Sequence, residues 1–248
     1  MRRYYISEMD ERAALLASKW GMGLETIAFC IPENLESEAA IENKRSQLAS
    51  FKHVSLHAPY YEIFPSAIDP MIRRVAMCRL NQALEACRKL GIGRMVVHSG
   101  YAPQMYYPQW FVPKSIAFWK EFIQQIPADF ELLIENVLDV LPDYIAEVCD
   151  GIADPRVKIC LDLGHANAYS DLPAEEWIKY LGARIAHVHL HNNNATKDEH
   201  APLEHGSMNI AHLLDVLDAY APDASICIES LDAQKCLTYL EKEGFIDV

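Results

Sequence analysis

The chain alternates short apolar runs with longer segments in which apolar positions recur every three or four residues. Short continuous apolar runs are typical of strands buried on both faces, and the longer pattern is typical of amphipathic helices. Strands are predicted near Tyr4 to Ser7, Leu24 to Phe29, His53 to His57, Arg94 to His98, Glu131 to Asn136, Val157 to Asp162, Ile185 to His189 and Ser225 to Glu229. Helices are predicted over Glu11 to Trp20, Glu36 to Phe51, Pro70 to Leu90, Pro113 to Ile126, Pro142 to Cys149, Pro173 to Leu181, Met208 to Tyr220 and Ala233 to Glu243.

Strict alternation of strand and helix predicts a parallel sheet covered on both faces. Eight such units in 248 residues are the size of a closed barrel. An open doubly wound sheet is the alternative, but it favours a glycine-rich phosphate loop after the first strand, and Ser7-Glu8-Met9-Asp10 is not one. No linker or internal repeat divides the chain. We therefore predict an α/β fold, a single (β/α)8 TIM barrel over residues 1–248.

Four successive predicted strands end in an acid or an imidazole, namely Glu135, Asp162, His189 and Glu229. In a parallel barrel the C-terminal strand ends meet at one rim, so these four side chains are expected to converge there. Buried charges are costly unless they are paired or bound to metal. Carboxylates with one imidazole suit Mn, Mg, Co or Zn, and the pattern therefore predicts a divalent metal site.

Charge and composition indicate which kinds of partner and which compartment to expect. The net charge is −13, and the expected rim loops contain almost no cations: 58–70 has no Lys or Arg, 99–114 has only Lys114, and 192–206 has only Lys197. A surface of this kind repels phosphate backbones, so we expect no nucleic-acid partner. The start of the chain lacks a signal-peptide pattern and no run is long enough to span a membrane, which predicts a cytoplasmic protein. The seven cysteines form no CxxC pair and are expected to be reduced.

Six motifs lie in order along the chain: His57-Ala58-Pro59-Tyr60, Val97-His98-Ser99-Gly100, Ile134-Glu135-Asn136, Leu161-Asp162-Leu163-Gly164-His165-Ala166, His187-Val188-His189-Leu190-His191-Asn192 and Cys227-Ile228-Glu229-Ser230. Together they resemble the xylose isomerase-like TIM-barrel superfamily. That superfamily contains sugar isomerases, sugar and inositol epimerases, and the endonuclease IV class of DNA-repair enzymes (AP endonuclease family 2). The resemblance spans about Leu24 to Ser230.

For the sugar-acting branch, the resemblance implies that Glu135, Asp162, His189 and Glu229 bind one divalent ion. We expect Zn or Mn, with Mg or Co as alternatives. It also implies that Glu135 and Glu229 act as the catalytic acid/base pair, one on each side of the substrate carbon.

The endonuclease IV branch has further metal ligands, and the resemblance assigns those positions to His57, His98, His165, Asp198 and His200. More than one metal ion could then bind, although many sugar isomerases of the superfamily keep such histidines for substrate hydroxyls. The chain departs from the endonuclease pattern twice. His191-Asn192 stands where an Asn-Asp pair is usual, and Glu204-His205-Gly206 stands where Gly-Glu-Gly is usual.

The candidate substrate contacts are histidines and aromatic residues that follow the strands: His57, His98, His165, Tyr60, His191 and Trp110. Period-two geometry directs His187, His189 and His191 to the same side of their strand. His187 is expected to be a hydrogen-bonded residue of the barrel interior. For Trp110 and the aromatic residues near it, a lid over the site and a plug over the helices remain alternatives.

These observations favour a metal-dependent isomerase or epimerase of a small polyol or keto sugar, acting by proton transfer next to a carbonyl. The alternative is an endonuclease IV-like zinc phosphodiesterase, which the shortage of cations near the rim disfavours. A binding protein without turnover is a third alternative, which the complete ligand set disfavours. A homo-oligomer is compatible with the sequence.

Overall fold

Eight parallel strands close into a barrel in sequence order, with β8 pairing back onto β1. The computed structural model describes residues 2–247. The strands are β1 Tyr4–Ser7, β2 Gly23–Thr26, β3 Val54–His57, β4 Arg94–His98, β5 Glu131–Glu135, β6 Val157–Asp162, β7 Ile185–Leu190 and β8 Ser225–Ile228. All eight predicted strands and the TIM barrel are confirmed. The second strand ends at Thr26, three residues before the predicted end at Phe29.

Helices follow the strands and surround the barrel. They are α1 Ala13–Trp20, α2 Pro32–Leu35, α3 Glu38–Leu48, α4 Pro70–Leu90, α5 Pro108–Phe122, α6 Pro142–Ile152, α7 Leu163–Tyr169, α8 Ala174–Leu181, α9 Ile210–Tyr220 and α10 Ala233–Lys242. No described helix is both long and apolar enough to cross a membrane.

The main differences from the predicted helices concern α3, α5 and α7. The predicted helix over Glu36 to Phe51 is α3 alone, and the short α2 precedes it. Helix α5 begins at Pro108 instead of Pro113, and it ends at Phe122 instead of Ile126, so that Pro113 lies inside the helix. Pro108 is suited to the first turn, where its missing N–H loses no intrahelical hydrogen bond. The short α7 directly after β6 was not predicted.

The apolar core lies between the outer face of the barrel and the helices. Alternate strand residues such as Leu24, Leu56, Val97 and Ile134 point outward and are fully buried against helical residues. Burying a side chain of this size stabilises the fold by about 1.5–3 kcal/mol. The barrel interior has a much smaller apolar cluster, formed by Val96, Leu133 and Cys160. Polar side chains therefore fill much of the interior beneath the C-terminal rim.

Strand β7 contains one irregularity that affects the rim. Its pairing with β6 shifts by one residue between Ile159 and Cys160, so that Ala186 has no partner in the ladder. After this bulge, His187 lies beside Cys160 and His189 lies beside Asp162. The bulge therefore sets which β7 side chains face the end of β6.

Candidate metal centre

Glu135, at the end of β5, lies at the centre of the C-terminal rim and is 1% exposed. Its Oε2 atom is 3.0 Å from His57 Nε2 and 3.5 Å from His98 Nε2. Its Oε1 atom is 3.1 Å from His189 Nδ1 and 3.6 Å from His165 Nδ1. The β4–β5 register places His98 directly beside Glu135. One carboxylate is thus surrounded by four imidazoles.

The Nδ1 atom of His189 is the meeting point of the predicted principal ligands. It lies 3.1 Å from Glu135 Oε1, 3.0 Å from Glu229 Oε2 and 3.7 Å from Asp162 Oδ2. Glu135, Asp162, His189 and Glu229 together are called the principal centre below. Each is buried and comes from one of four successive strand ends, β5 to β8. The structure therefore brings the four residues together as their spacing predicts.

Asp162 is fixed by the local structure at the end of β6. Its backbone N–H donates to the Asn136 side chain, and the Asn136 amide donates back to the Asp162 carbonyl. Its Oδ1 atom accepts the His165 backbone N–H at 2.6 Å and so caps helix α7. A capping carboxylate at the start of a helix is a favourable place for negative charge. Oδ2 lies toward the principal centre.

A second cluster of ligand types lies beside the principal centre and consists of His165, Asp198 and His200. Asp198 Oδ2 is 3.3 Å from His165 Nε2 and 2.8 Å from His200 Nε2. His165 connects the two groups, because its Nδ1 atom lies 3.5 Å from Asp162 Oδ2. All five additional candidates, His57, His98, His165, Asp198 and His200, therefore lie around the same rim.

The long loop after β7 is held in place by Asn192. This residue pairs with Ala201 in an isolated antiparallel bridge, and its side chain donates to the carbonyls of Leu203 and Met208. Gly206 packs directly against the Asn192 amide, where a β-carbon would clash. These contacts fix the path of the Glu204-His205-Gly206 segment, which differs from the usual Gly-Glu-Gly. They also bring Asp198 and His200 over the rim.

A cavity of about 430 Å3 opens onto these groups. Its lining combines ligand candidates with aromatic and apolar side chains: Met9, Ile27, His57, Tyr60, Tyr61, His98, Glu135, Val137, His165, Tyr169, Asp198, His200 and Glu229. Tyr60 stacks on His98 with ring centroids 4.9 Å apart. No Lys or Arg is among the lining residues.

Two of the predicted substrate contacts lie elsewhere. His191 is fully buried outside the cavity lining, with Nε2 3.2 Å from Asp162 Oδ1 and its ring stacked on His200. Trp110 lies in the first turn of α5, also outside the lining, and carries the Lys114 ammonium over its ring. In these positions neither residue lines the cavity.

The charges in the site compensate one another. Burial alone would raise the pKa of Glu135, but the imidazoles of His189 and His98 hold it well below its usual range. Burial would lower the pKa of His165, yet Asp162 and Asp198 raise it to about 10. His98 differs, because burial lowers its pKa to about 3. Protonated imidazoles thus balance the carboxylates, and a divalent ion would take over that role as the nitrogens lose their protons.

The donor set fits a hard or borderline divalent ion. The sets His57–His98–Glu135, His57–His189–Glu229 and His165–Asp198–His200 each place their ligand atoms within 4.8 Å of one another. Asp198 Oδ1 is buried and lacks a hydrogen-bond partner in the structure, as expected of a carboxylate oxygen directed at a ligand. Nitrogen and oxygen donors of these types suit Zn or Mn.

Sequence reasoning did not identify Glu25. This residue lies within β2, is fully buried in the barrel, and has Oε1 2.9 Å from His189 Nε2. The signal that could have found it is an ionisable residue inside a short apolar strand, between Leu24 and Thr26. His187, predicted as a hydrogen-bonded interior residue, is buried with Nδ1 2.7 Å from Ser225 Oγ.

A closed barrel with a carboxylate–imidazole centre at its C-terminal rim defines the class of this protein. The chain belongs to the xylose isomerase-like TIM barrel family, whose model matches residues 17–243. It is 26% identical over 236 residues to the uncharacterized protein MJ1311 of Methanocaldococcus jannaschii, covering 90% of this chain and 78% of that protein. It is 25% identical over 242 residues to a probable endonuclease 4 of Mycobacterium ulcerans, covering 92% of each.

Solved structures share the fold. A D-tagatose 3-epimerase-like protein matches with a TM-score of 0.83 at 22% identity, over 99% of this chain and 97% of that chain. An IolI protein with a binding zinc atom matches with a TM-score of 0.76 at 15% identity, over 98% and 94% of the two chains. These likenesses support the barrel and do not by themselves assign a reaction.

Proposed function

We propose that the protein is a divalent-metal-dependent isomerase or epimerase of a small uncharged polyol or keto sugar. The observation that carries the proposal is the pair of carboxylates, Glu135 and Glu229, which flank His189 Nδ1 at 3.1 and 3.0 Å. Two such carboxylates beside one ion suit proton transfer next to a carbonyl, because one can remove the proton and the other can return it. The structural likeness to a D-tagatose 3-epimerase-like protein supports the same class.

Glu135, Asp162, His189 and Glu229 would hold the ion, and Zn or Mn is the expected metal. When bound, the ion would polarise the substrate carbonyl and so acidify the adjacent carbon. Glu135 and Glu229 would then remove and return the proton at that carbon. His98 stays neutral near pH 7 because burial lowers its pKa to about 3, so it is suited to hydrogen-bond a neutral hydroxyl.

The cavity supports a small neutral substrate. Its volume of about 430 Å3 is in the range of small-molecule sites, which is about 300–1,000 Å3. Its lining contains no Lys or Arg to pair with a phosphate or carboxylate. Tyr60 and Tyr61 stand at its wall, where aromatic faces can pack against the C–H face of a sugar.

A second candidate is a zinc phosphodiesterase of the endonuclease IV type. The His165–Asp198–His200 cluster favours it, because it would supply ligands for additional ions that clamp a phosphate. The 25% identity to a probable endonuclease 4 points the same way. The acidic composition and the absence of Lys and Arg from the cavity lining oppose it, since DNA binding depends on phosphate neutralisation by such side chains.

One experiment separates the candidates. Ketoses, aldoses and inososes are incubated in deuterated water with Zn, Mn, Mg or Co, beside abasic-site duplex DNA at low and moderate salt. We expect metal-dependent isomer formation with deuterium uptake, since proton transfer exchanges a substrate hydrogen with solvent. Metal-dependent incision of the duplex, with neither isomer formation nor deuterium uptake in the sugars, would establish the phosphodiesterase instead.

Variants connect the activity to the residues. Glu135→Gln and Glu229→Gln each keep the side-chain volume and remove the charge, so both should lower metal content and abolish turnover. Glu131→Gln is the matched control, because Glu131 begins the same strand as Glu135 but pairs with Arg94 at the opposite end of the barrel. Unchanged metal stoichiometry in both site variants would refute the assignment of the centre.

A further inference from the structure

Glu25 places a carboxylate inside the barrel, beneath the principal centre. Its side chain is fully buried on β2, and it accepts a hydrogen bond from Ser55 Oγ at 2.7 Å. Its two oxygens also face imidazoles, with Oε1 2.9 Å from His189 Nε2 and Oε2 3.3 Å from His187 Nε2. Removing a carboxylate from water costs several kcal/mol unless such partners compensate it. Glu25 is neither a ligand of the principal centre nor a member of its acid/base pair.

The two ring nitrogens of His189 have different surroundings. Nδ1 faces the carboxylates of Glu135 and Glu229, where a metal ion would sit, while Nε2 faces Glu25. A neutral imidazole has one N–H and one lone pair, and a ligating nitrogen must present the lone pair. With an ion paired to Glu135 and Glu229 on the Nδ1 side, the carboxylate beside Nε2 would favour the proton there, because a carboxylate only accepts hydrogen bonds.

We propose that Glu25 is a positioning residue that holds the Nε2–H of His189 and thereby directs Nδ1, as a lone pair, toward the metal. The proposal rests on the proposed function, since it assumes an ion at the principal centre. Outer carboxylates that orient a ligating histidine also raise its basicity as a ligand. The proposal predicts that Glu25 controls metal affinity without touching the metal.

Neighbouring contacts hold Glu25 in the required place. Ser55 fixes Oε2 from β3 through its hydrogen bond, and His187 Nε2 lies 3.3 Å from the same oxygen without a hydrogen bond. His187 is itself anchored, because its Nδ1 atom lies 2.7 Å from Ser225 Oγ and Ser225 also donates to the Ala186 carbonyl. A carboxylate, two imidazoles and two hydroxyls from four strands therefore lie together in one buried cluster around His189 Nε2.

The same network could be read as ligands for another ion. Glu25, His187, His189 and Cys227 bring their donor atoms within 4.8 Å of one another. An ion there would need both nitrogens of His189, one for each metal, and would compete with the Ser55 hydrogen bond. Positioning requires no such change, and metal stoichiometry distinguishes the two readings.

The test compares zinc affinity in three proteins: wild type, Glu25→Gln and Asp10→Asn. Zinc is titrated into each apoprotein against a chelator of known affinity, and thermal unfolding is measured beside it. Gln keeps the volume of Glu25 and removes the charge, so the tightest site should weaken about 10- to 100-fold, the range found for outer-shell changes. Asp10 is a matched control, because it is a buried carboxylate that pairs with Arg12 and touches no ligand candidate.

Asp10→Asn should bind zinc within twofold of wild type whatever its stability. If Glu25→Gln also binds within twofold, Glu25 is only a structural residue and the proposal is wrong. Loss of one whole zinc ion in Glu25→Gln, with unchanged affinity at the remaining site, would make Glu25 a ligand and also overturn positioning. A wild type that binds no zinc would instead refute the proposed metal centre on which the inference depends.

A second test uses the wild-type protein, so it does not depend on whether a variant folds. Nitrogen-15 NMR of the histidine rings in the zinc-loaded protein should show His189 bound through Nδ1 and protonated at Nε2, with slow exchange of that proton. Zinc bound through Nε2, with the proton on Nδ1, would contradict the proposal directly.

Discussion

Gly164 lies at the second position of α7, where its missing side chain makes room for the His191 ring. A β-carbon built on Gly164 would lie 2.5 Å from His191 Nδ1 and nearer still to Cε1 and Nε2, whereas ordinary contacts begin near 3.4 Å. The Nδ1 atom alone would have to move by 0.9 Å, the difference between these distances, and Cε1 and Nε2 would have to move further. It cannot move freely, because His200 stacks on it with centroids 4.2 Å apart.

Two opposing effects decide the outcome of Gly164→Ala. Alanine is favoured over glycine inside a helix by about 1 kcal/mol. Overpacking a tightly filled core costs about 1–3 kcal/mol. We expect the steric cost to win, because the ring is buried between backbone and a second imidazole. Gly164→Ala should therefore destabilise the apoprotein, and it should also weaken zinc binding, because His191 holds Asp162.

The assay is a double-mutant cycle in urea with His191→Ala. When the ring is absent the clash disappears and only the helix preference remains, so Gly164→Ala should become neutral or stabilising in that background. Gly93→Ala is the control, because a β-carbon there meets no atom within 4 Å. Its effect should stay within about 0.5 kcal/mol. Equal destabilisation by Gly164→Ala in both backgrounds would refute the steric explanation.

Three further predictions concern protons and additional metal. Burial raises the pKa of Asp139 from 3.8 to about 6, so its ionisation opposes folding; the difference, at about 1.36 kcal/mol per pKa unit, is about 3 kcal/mol. This penalty is absent below pH 4 and complete above pH 6, and Asp139→Asn should remove it from the pH profile of unfolding in urea. Despite burial, nearby carboxylates raise the pKa of His165 to about 10 and of His200 to about 9, so both are protonated at pH 7. Zinc binding by this cluster should release protons and tighten as the pH rises toward 9, and calorimetry in buffers of different ionisation enthalpy measures that release. Zinc titration of the apoprotein should show more than one tight site, and His98→Ala should abolish an additional site and leave the first; a single site under all conditions would leave His98 as a hydroxyl-binding residue.

The positions of the principal ligands could be predicted because two simple patterns coincide. Each ligand ends an apolar run, and a parallel barrel brings the ends of such runs to one rim. Glu135 and Asp162 could be placed at the rim from these two patterns, without any knowledge of side-chain packing. The starts of the helices were harder to predict than the strand ends. Helix α7 was not predicted because Leu163 to Tyr169 is short and contains a glycine. Its capping residue is Asp162, whose sequence position indicated only a strand end.

Residues that support the ligands were harder to assign, because their roles depend on neighbours distant in sequence. His191 has the spacing of a substrate contact, but the close approach of Gly164 lets its ring lie buried against Asp162. Glu25 precedes its partner His189 by more than half the chain, and nothing local to β2 indicates that partner. A pattern of strands predicts which residues point inward, and it does not predict which inward residues touch.

The bulge in β7 shows why the strand pattern alone does not predict which inward-pointing residues touch. Period-two alternation alone directs His187 and His189 into the barrel, as the sequence predicts. The register with β6 shifts at Ala186, and only after that shift does His189 lie beside Asp162. A slip of one residue in a strand moves its side chains to the opposite face. The geometry that places His189 between Glu25 and the principal centre therefore depends on a single unpaired residue, which no apolar pattern in this chain marks.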